Sequence, residues 1–214
     1  MTMLLSGAMI LAGACSQAPA YIEWTPSSHP EVLEVAGDPQ IVETPYGEAL
    51  AFDGEDDGVF LDSVPLEDLE EFTVELVFRQ APDASFEQRF LHIGEVKGAR
   101  VLFETRVKPD STWYFDAFIH MGTKEESAVL IDSTLTHRAG EWAALAMTVS
   151  KDGVVSYVDG VEQCRSDLSY RPTISEGLTS VGVRQNRVCW FKGEILRLRI
   201  TPRALAPDDL LKVE

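Results

Sequence analysis

Apolar and polar residues alternate with a period of two along much of the chain. In Phe72-Thr-Val-Glu-Leu-Val-Phe-Arg79, Phe72, Val74, Leu76 and Phe78 share one face and Thr73, Glu75, Val77 and Arg79 the other. That period places side chains on opposite sides of an extended strand and predicts a half-buried β-strand. Arg89–Ile93, Arg100–Val107, Trp113–His120, Ser127–Asp132, Trp142–Ser150, Val154–Val158, Thr179–Val183 and Glu194–Thr201 are further short strand candidates. Asp152-Gly153 and Asp159-Gly160 fall beside these runs as tight-turn signals. Only Pro65–Glu71 and the segment starting Ala206-Pro207 offer helical turns. No period of tens of residues repeats. Many short strands with few helices predict an all-β sandwich or barrel.

Three regions divide the chain: a leader over residues 1–20, a linker or entry segment over 21–45, and one domain over 46–214. Met3–Gly13 is apolar and short, which fits the core of a secretion signal better than a membrane span. Leu11-Ala-Gly-Ala-Cys15-Ser16 resembles a bacterial lipobox, in which Cys15 carries the lipid; Ala12-Gly-Ala14 and Ala18-Pro-Ala20 fit ordinary cleavage instead. Either way the expectation is export, to the cell envelope or beyond it, with membrane contact only through a lipid anchor.

Net charge is -17, with 18 basic against 35 acidic residues, which argues against nucleic acid as a partner. The charge is also segregated. Arg79 is the only base before Arg89, whereas Arg184, Arg187, Lys192, Arg197, Arg199 and Arg203 stand near the end with Glu194 alone between them. Two readings stay open: complementarity within the fold, or a local anion- or sugar-binding patch. Three cysteines are too few for a disulfide scaffold. Cys164 and Cys189 either pair or remain core thiols.

Three segments in order resemble the laminin-G-like, concanavalin A-like jelly rolls. Gly47-Glu-Ala-Leu-Ala-Phe-Asp-Gly-Glu-Asp-Asp-Gly-Val-Phe-Leu61 is similar to their first strand pair. Trp142–Ser150 followed by Val155–Val161 resembles their central hairpin, and Phe191–Leu205 their closing strand. The resemblance implies two antiparallel sheets packed face to face, one of them concave. It also implies binding of glycans or proteins, with polysaccharide hydrolysis in some members. Calcium near the rim is common in the family. Asp53, Asp56 and Asp57 offer hard oxygen ligands for it, or else simply shape a turn. The acidic residues usual on the closing strand are replaced here by Leu196 and Arg197.

The chain lacks the Glu-x-Asp-x-(x)-Glu strand of laminarinase-type relatives, a Gly-x-Ser-x-Gly elbow and any zinc-spaced histidine pair. If the protein is an enzyme, Glu104, Asp116 and His92 are the candidate catalytic groups. Alternation instead points to a binding face. Leu102, Glu104 and Arg106 share one side of their strand, and His92 lies opposite Leu91 and Ile93. Ser180, Gly182 and Arg184 lie opposite Val181 and Val183, with the small residues leaving room above the sheet. Sugar sites combine planar donors and acceptors with an aromatic ring. The candidates are therefore His92, Glu104, Arg106 and Arg184, with Trp113, Tyr114 and Trp190 as rings and Asn186 and Arg187 in the adjoining loop. A glycan or polysaccharide is the expected ligand, with a protein partner as the alternative.

Overall fold

A computed structural model of the chain describes residues 21–27 and 32–213; the expected leader, Cys15 with it, lies outside the described residues. In chain order the strands are β1 (Ile22–Trp24), β2 (Val32–Ala36), β3 (Gln40–Thr44), β4 (Gly47–Asp53), β5 (Gly58–Leu61), β6 (Phe72–Gln80), β7 (Glu87–Gly94) and β8 (Arg100–Val107). There follow β9 (Thr112–His120), β10 (Ser127–Ile131), β11 (His137–Arg138), β12 (Trp142–Ser150), β13 (Gly153–Val158), β14 (Val161–Ser166), β15 (Leu178–Val181) and β16 (Lys192–Thr201). One antiparallel sheet runs β14-β13-β12-β6-β16-β4-β3, with β1 also on β16. The other runs β10-β9-β8-β7-β15-β5-β2, with β11 also on β9. This is the two-sheet jelly-roll sandwich that the pattern and the resemblance lead one to expect.

The core fills from the alternating positions of both sheets. Phe78 of β6 lies with its ring centroid 5.2 Å from Phe90 of β7 and 5.1 Å from Trp113 of β9, and Phe191 closes the group 5.0 Å from Phe90. Trp113 is 1% exposed, and its indole N–H donates to the Arg138 carbonyl at 3.2 Å. The expectation that it stacks a ligand is therefore corrected: its odd position on β9 faces the other sheet.

Several local expectations change. Within the expected linker or entry segment over 21–45, the described residues form β1, β2 and β3, which pair with β16, β5 and β4. Val35 and Ile41 stay exposed on these edges, which hid the alternation. β4 and β5 are not a hairpin: they belong to different sheets, and the Asp53–Asp57 loop carries the chain from one to the other. Pro65–Glu71 is a turn, with Leu69 N–H on the Leu66 carbonyl and Asp68 at φ 60°, a conformation no helix continues through.

The most consequential change follows β15. Gly182 takes φ +82° and faces the core side, so the alternation slips by one. Val183 then packs outward with Ala36, Phe60 and Trp190 rather than inward. Gly182 donates its N–H to the Phe90 carbonyl at 2.9 Å and accepts from Phe191 N–H at 2.9 Å. A Cβ there would stand 2.1 Å from the Phe52 ring. Gly182→Ala is accordingly expected to lower stability by about 2–4 kcal/mol, from overpacking plus backbone strain. Denaturant unfolding measures this as a lower midpoint at unchanged m-value; an unchanged midpoint would refute the close approach.

Candidate functional site

The outward face of the second sheet carries the candidate residues in cross-strand rows. One row reads Ser180, His92, Leu102, Phe118. The next places Arg89, Glu104 and Asp116 side by side, and another Glu87, Arg106 and Tyr114. Residues directly opposite on antiparallel strands are near enough to interact, so these rows are contacts rather than a projection. The face thus brings together His92, Glu104, Arg106, Tyr114 and Asp116, with Arg184 in the loop after β15.

Sequence reasoning missed Arg89 and Arg100. Arg100 shares the parity of Glu104 and Arg106 on β8 and was legible by the same alternation. Arg89 was not. A β-bulge between Arg89 and Leu91 turns both Phe90 and Leu91 into the core, which puts Arg89 on the face with His92 despite its opposite parity.

Arg106 organises the centre. Its Nη2 lies 2.9 Å from Glu104 and 2.6 Å from Asp116. Arg89 Nε stands 3.4 Å from the same Glu104 oxygen, and Arg89 Nη2 3.3 Å from Glu87. Glu104 and Asp116 are 5% and 7% exposed, so this is a nearly dry ion cluster on the outside of a sheet. Burial pushes Asp116 up to about 6, with Arg106 pulling it down and Glu104 pushing it up. Two carboxylates on one nitrogen are close enough for the separation of about 5–5.5 Å that a retaining glycosidase uses. Arg106, however, fills the gap between them.

His92 is fully buried. Its Nε2 is 3.0 Å from the Glu95 carbonyl, so Nε2 carries the proton and donates; Nδ1 is buried with no partner. Burial lowers its pKa to about 4, against the Glu95 contact and with help from Arg184 and Arg100. A neutral imidazole held this way is a fixed part of the sheet and makes a poor proton shuttle near neutrality.

Phe118 is the aromatic ring beside Asp116 on this face, in the row of Leu102 and His92. The Arg100 guanidinium lies 5.0 Å from its centroid, and His120 stacks 6.2 Å away. Tyr114 is 9% exposed beside Arg106. Trp190, expected as an open ring, is half-buried against Phe60 and Val183. Arg187 is committed too, with its Nη2 2.7 Å from each Glu34 oxygen and its guanidinium 4.9 Å from the Phe60 ring. Asn186 is exposed at the loop tip.

Much of the charge segregation is internal pairing across the fold: Arg187–Glu34, Lys192–Asp83, Arg197–Glu23 and Arg199–Glu75. Cys164 and Cys189 are free thiols, and Cys189 donates to Glu87 at 3.1 Å.

Asp53, Asp56 and Asp57 bring carboxylate oxygens within 4.8 Å of one another and could hold a metal ion. Backbone N–H groups already use part of that capacity. Asp57 accepts from Asp38 at 2.8 Å and Asp53 at 3.0 Å, and Asp53 accepts from Glu55 at 2.8 Å. Among the described residues, no hydrogen bond or ion pair reaches Asp53 Oδ2 or the Asp56 carboxylate. Away from both sites, an apolar cleft lies among Trp24, Leu61, Val64, Leu198 and Ile200. It offers few polar groups for a sugar.

The chain belongs to the concanavalin A-like lectin/glucanase superfamily, whose family model matches residues 53–210. Among solved structures it is similar to domain 4 of AbnA, a GH43 extracellular arabinanase of Geobacillus stearothermophilus, determined in complex with arabinotriose. The two are 20% identical, with 80% of this chain and 79% of that one covered and a TM-score of 0.59. It is similar also to the receptor-binding domain of botulinum neurotoxin D (14% identity, 84% and 46% covered, TM-score 0.62). The binding domain of Paraclostridial Mosquitocidal Protein 1 is a third (13%, 85% and 46%, TM-score 0.59). This chain spans under half of either toxin domain. No curated protein matches it in sequence. At these identities the likenesses show the fold.

Asp116 and His92 oppose each other in the pH dependence of stability. Asp116 binds its proton more tightly folded than unfolded, so its contribution falls as pH rises from the ordinary carboxylate range to about 6. His92 binds its proton less tightly folded, so its contribution rises between about 4 and the ordinary imidazole value. Asp116→Asn removes the falling part. Its unfolding midpoint is expected to climb more steeply between pH 4 and 6 than that of the wild type; parallel profiles would contradict the burial of Asp116.

Proposed function

We propose that this domain binds a glycan on the outward face of the second sheet. The observation that carries the reading is the dry Glu104–Arg106–Asp116 cluster beside the Phe118 ring. Surface ion pairs contribute little to stability, and buried ones often less than an apolar substitute. A costly, rigid array of planar donors and acceptors next to a ring is instead what recognises hydroxyls and the apolar side of a pyranose. The arabinanase domain solved with arabinotriose adds support from a neighbour of the same fold. The reading includes export, with Cys15 as the lipid-bearing residue or lost with the leader. It also includes calcium as the ion for the Asp53, Asp56 and Asp57 cluster.

Two observations favour hydrolysis as a second reading: the closeness of Glu104 to Asp116 and the raised pKa of the latter. The position of Arg106 between them weighs against it.

A glycan and polysaccharide array probed with the full chain tests the proposal. Binding is expected, and Phe118→Ala is expected to weaken it about tenfold or more by removing the stacking ring, with the fold intact by circular dichroism. Silence across the array would overturn the reading. Release of reducing ends, abolished by Glu104→Gln, would favour the hydrolytic one. Calcium is expected to raise the melting temperature of the wild type but not of Asp56→Ala. An equal rise in both would remove the cluster from the calcium reading.

A further inference from the structure

Arg184 differs from every other arginine on this face. Arg89 and Arg106 meet carboxylates, and Arg100 donates to the Gly98 carbonyl at 2.7 Å besides lying over Phe118. Arg187 is paired with Glu34. Among the described residues nothing bonds the Arg184 guanidinium: its Nε is buried without a partner and no ion pair reaches it. The side chain is half-buried all the same, and its electrostatic neighbours are first Arg89 and then Glu104. A half-buried cation beside another cation is partly desolvated without a partner, and its terminal nitrogens stay open to donate to one.

The loop that holds it is tightly built. Gln185 Nε2 donates to the carbonyls of Gly94 at 2.9 Å and Leu178 at 2.6 Å. Arg187 N–H closes a turn on the Arg184 carbonyl at 2.7 Å, and Arg89 N–H reaches the Cys189 carbonyl at 2.9 Å. Arg187 and Cys189 both sit at φ 56°, a left-handed conformation that side chains other than glycine adopt at a cost. The backbone that carries Arg184 is therefore held in place beside the sheet face.

We propose that Arg184 binds the anionic group of an acidic sugar, a uronate carboxylate or a sulfate ester. The inference rests on the glycan reading and names its ligand class. A planar guanidinium with two open nitrogens matches two oxygens of either group. The chain as a whole carries a net charge of -17 and repels polyanions, so binding of one has to come from a local site.

The test uses matched pairs of polymers: polygalacturonate against its fully methyl-esterified form, and dextran sulfate against dextran, with the full chain and physiological salt. The charged member of at least one pair is expected to bind at least tenfold more tightly than its neutral twin. Which pair responds identifies carboxylate or sulfate as the group. Arg184→Met is expected to erase that difference and Arg184→Lys to keep part of it. Arg184→Met is also expected to unfold at the same denaturant midpoint or a higher one, because it removes a half-buried cation without a partner; a structural arginine would give a lower one. Equal binding of neutral and charged twins, lost in Phe118→Ala, would overturn this inference and leave the glycan reading standing. Silence of all four polymers would overturn this inference, while the broader array decides the glycan reading. Unchanged polyanion binding by Arg184→Met would refute the role of Arg184 alone.

Discussion

The packing of Phe78 across the sandwich fixes nearly everything else. One ring from β6 meets Phe90 and Trp113 of the opposite sheet, and Phe191 completes the group. Because side chains alternate strictly along a strand, choosing which residue of β7 and β9 faces Phe78 also chooses which residues face away. Phe90 inward, after the bulge, sends His92 and Arg89 out together. Trp113 inward sends Tyr114, Asp116 and Phe118 out. The apolar contact between the sheets thus selects the polar face, and burial is the driving term for both.

The legibility of the fold follows from that coupling. Where one face of a strand is buried and the backbone is regular, alternation names the outward residues: Glu104 and Arg106 on β8, and Asp116 on β9. Where a bulge or a left-handed residue intervenes, parity fails. The bulge in β7 concealed Arg89, and Gly182 at φ +82° reversed the expected sides of Gly182 and Val183. No composition rule marks these places, because Arg89-Phe90-Leu91 reads as an ordinary strand. Trp113 was misassigned for a different reason: a tryptophan between polar neighbours is equally good as core or as platform until the opposite sheet is known. The edge strands β2 and β3 escaped notice because exposed Leu33, Val35 and Ile41 leave them without a clean polar side.

The charge pattern of the sequence also resolves into two parts. Most late-chain bases answer early-chain acids across the sandwich: Arg187 with Glu34, Arg199 with Glu75 and Lys192 with Asp83. This is the internal complementarity that a segregated sequence needs to bring its two halves together. Arg184 and Arg203 belong to the same basic run and meet no acid among the described residues; Arg203 is exposed, whereas Arg184 is half-buried with its Nε without a partner. Segregation in the sequence could not separate these from the others, since pairing depends on which strand edge each loop crosses.

The rigid loop and the dry ion cluster point the same way energetically. Arg106 already holds Glu104 and Asp116, and those carboxylates hold it, so none of the three reorients when a ligand arrives. Gln185 and the backbone bonds around Arg187 and Cys189 hold the loop that carries Arg184. Affinity for a flexible, strongly hydrated sugar is limited chiefly by the ordering of side chains and the desolvation of polar groups on binding. A face whose charged groups are ordered and largely dehydrated in the free protein has met much of that cost during folding, at the expense of stability. The core behind it, with Phe78 at its centre, supplies the burial that tolerates the expense.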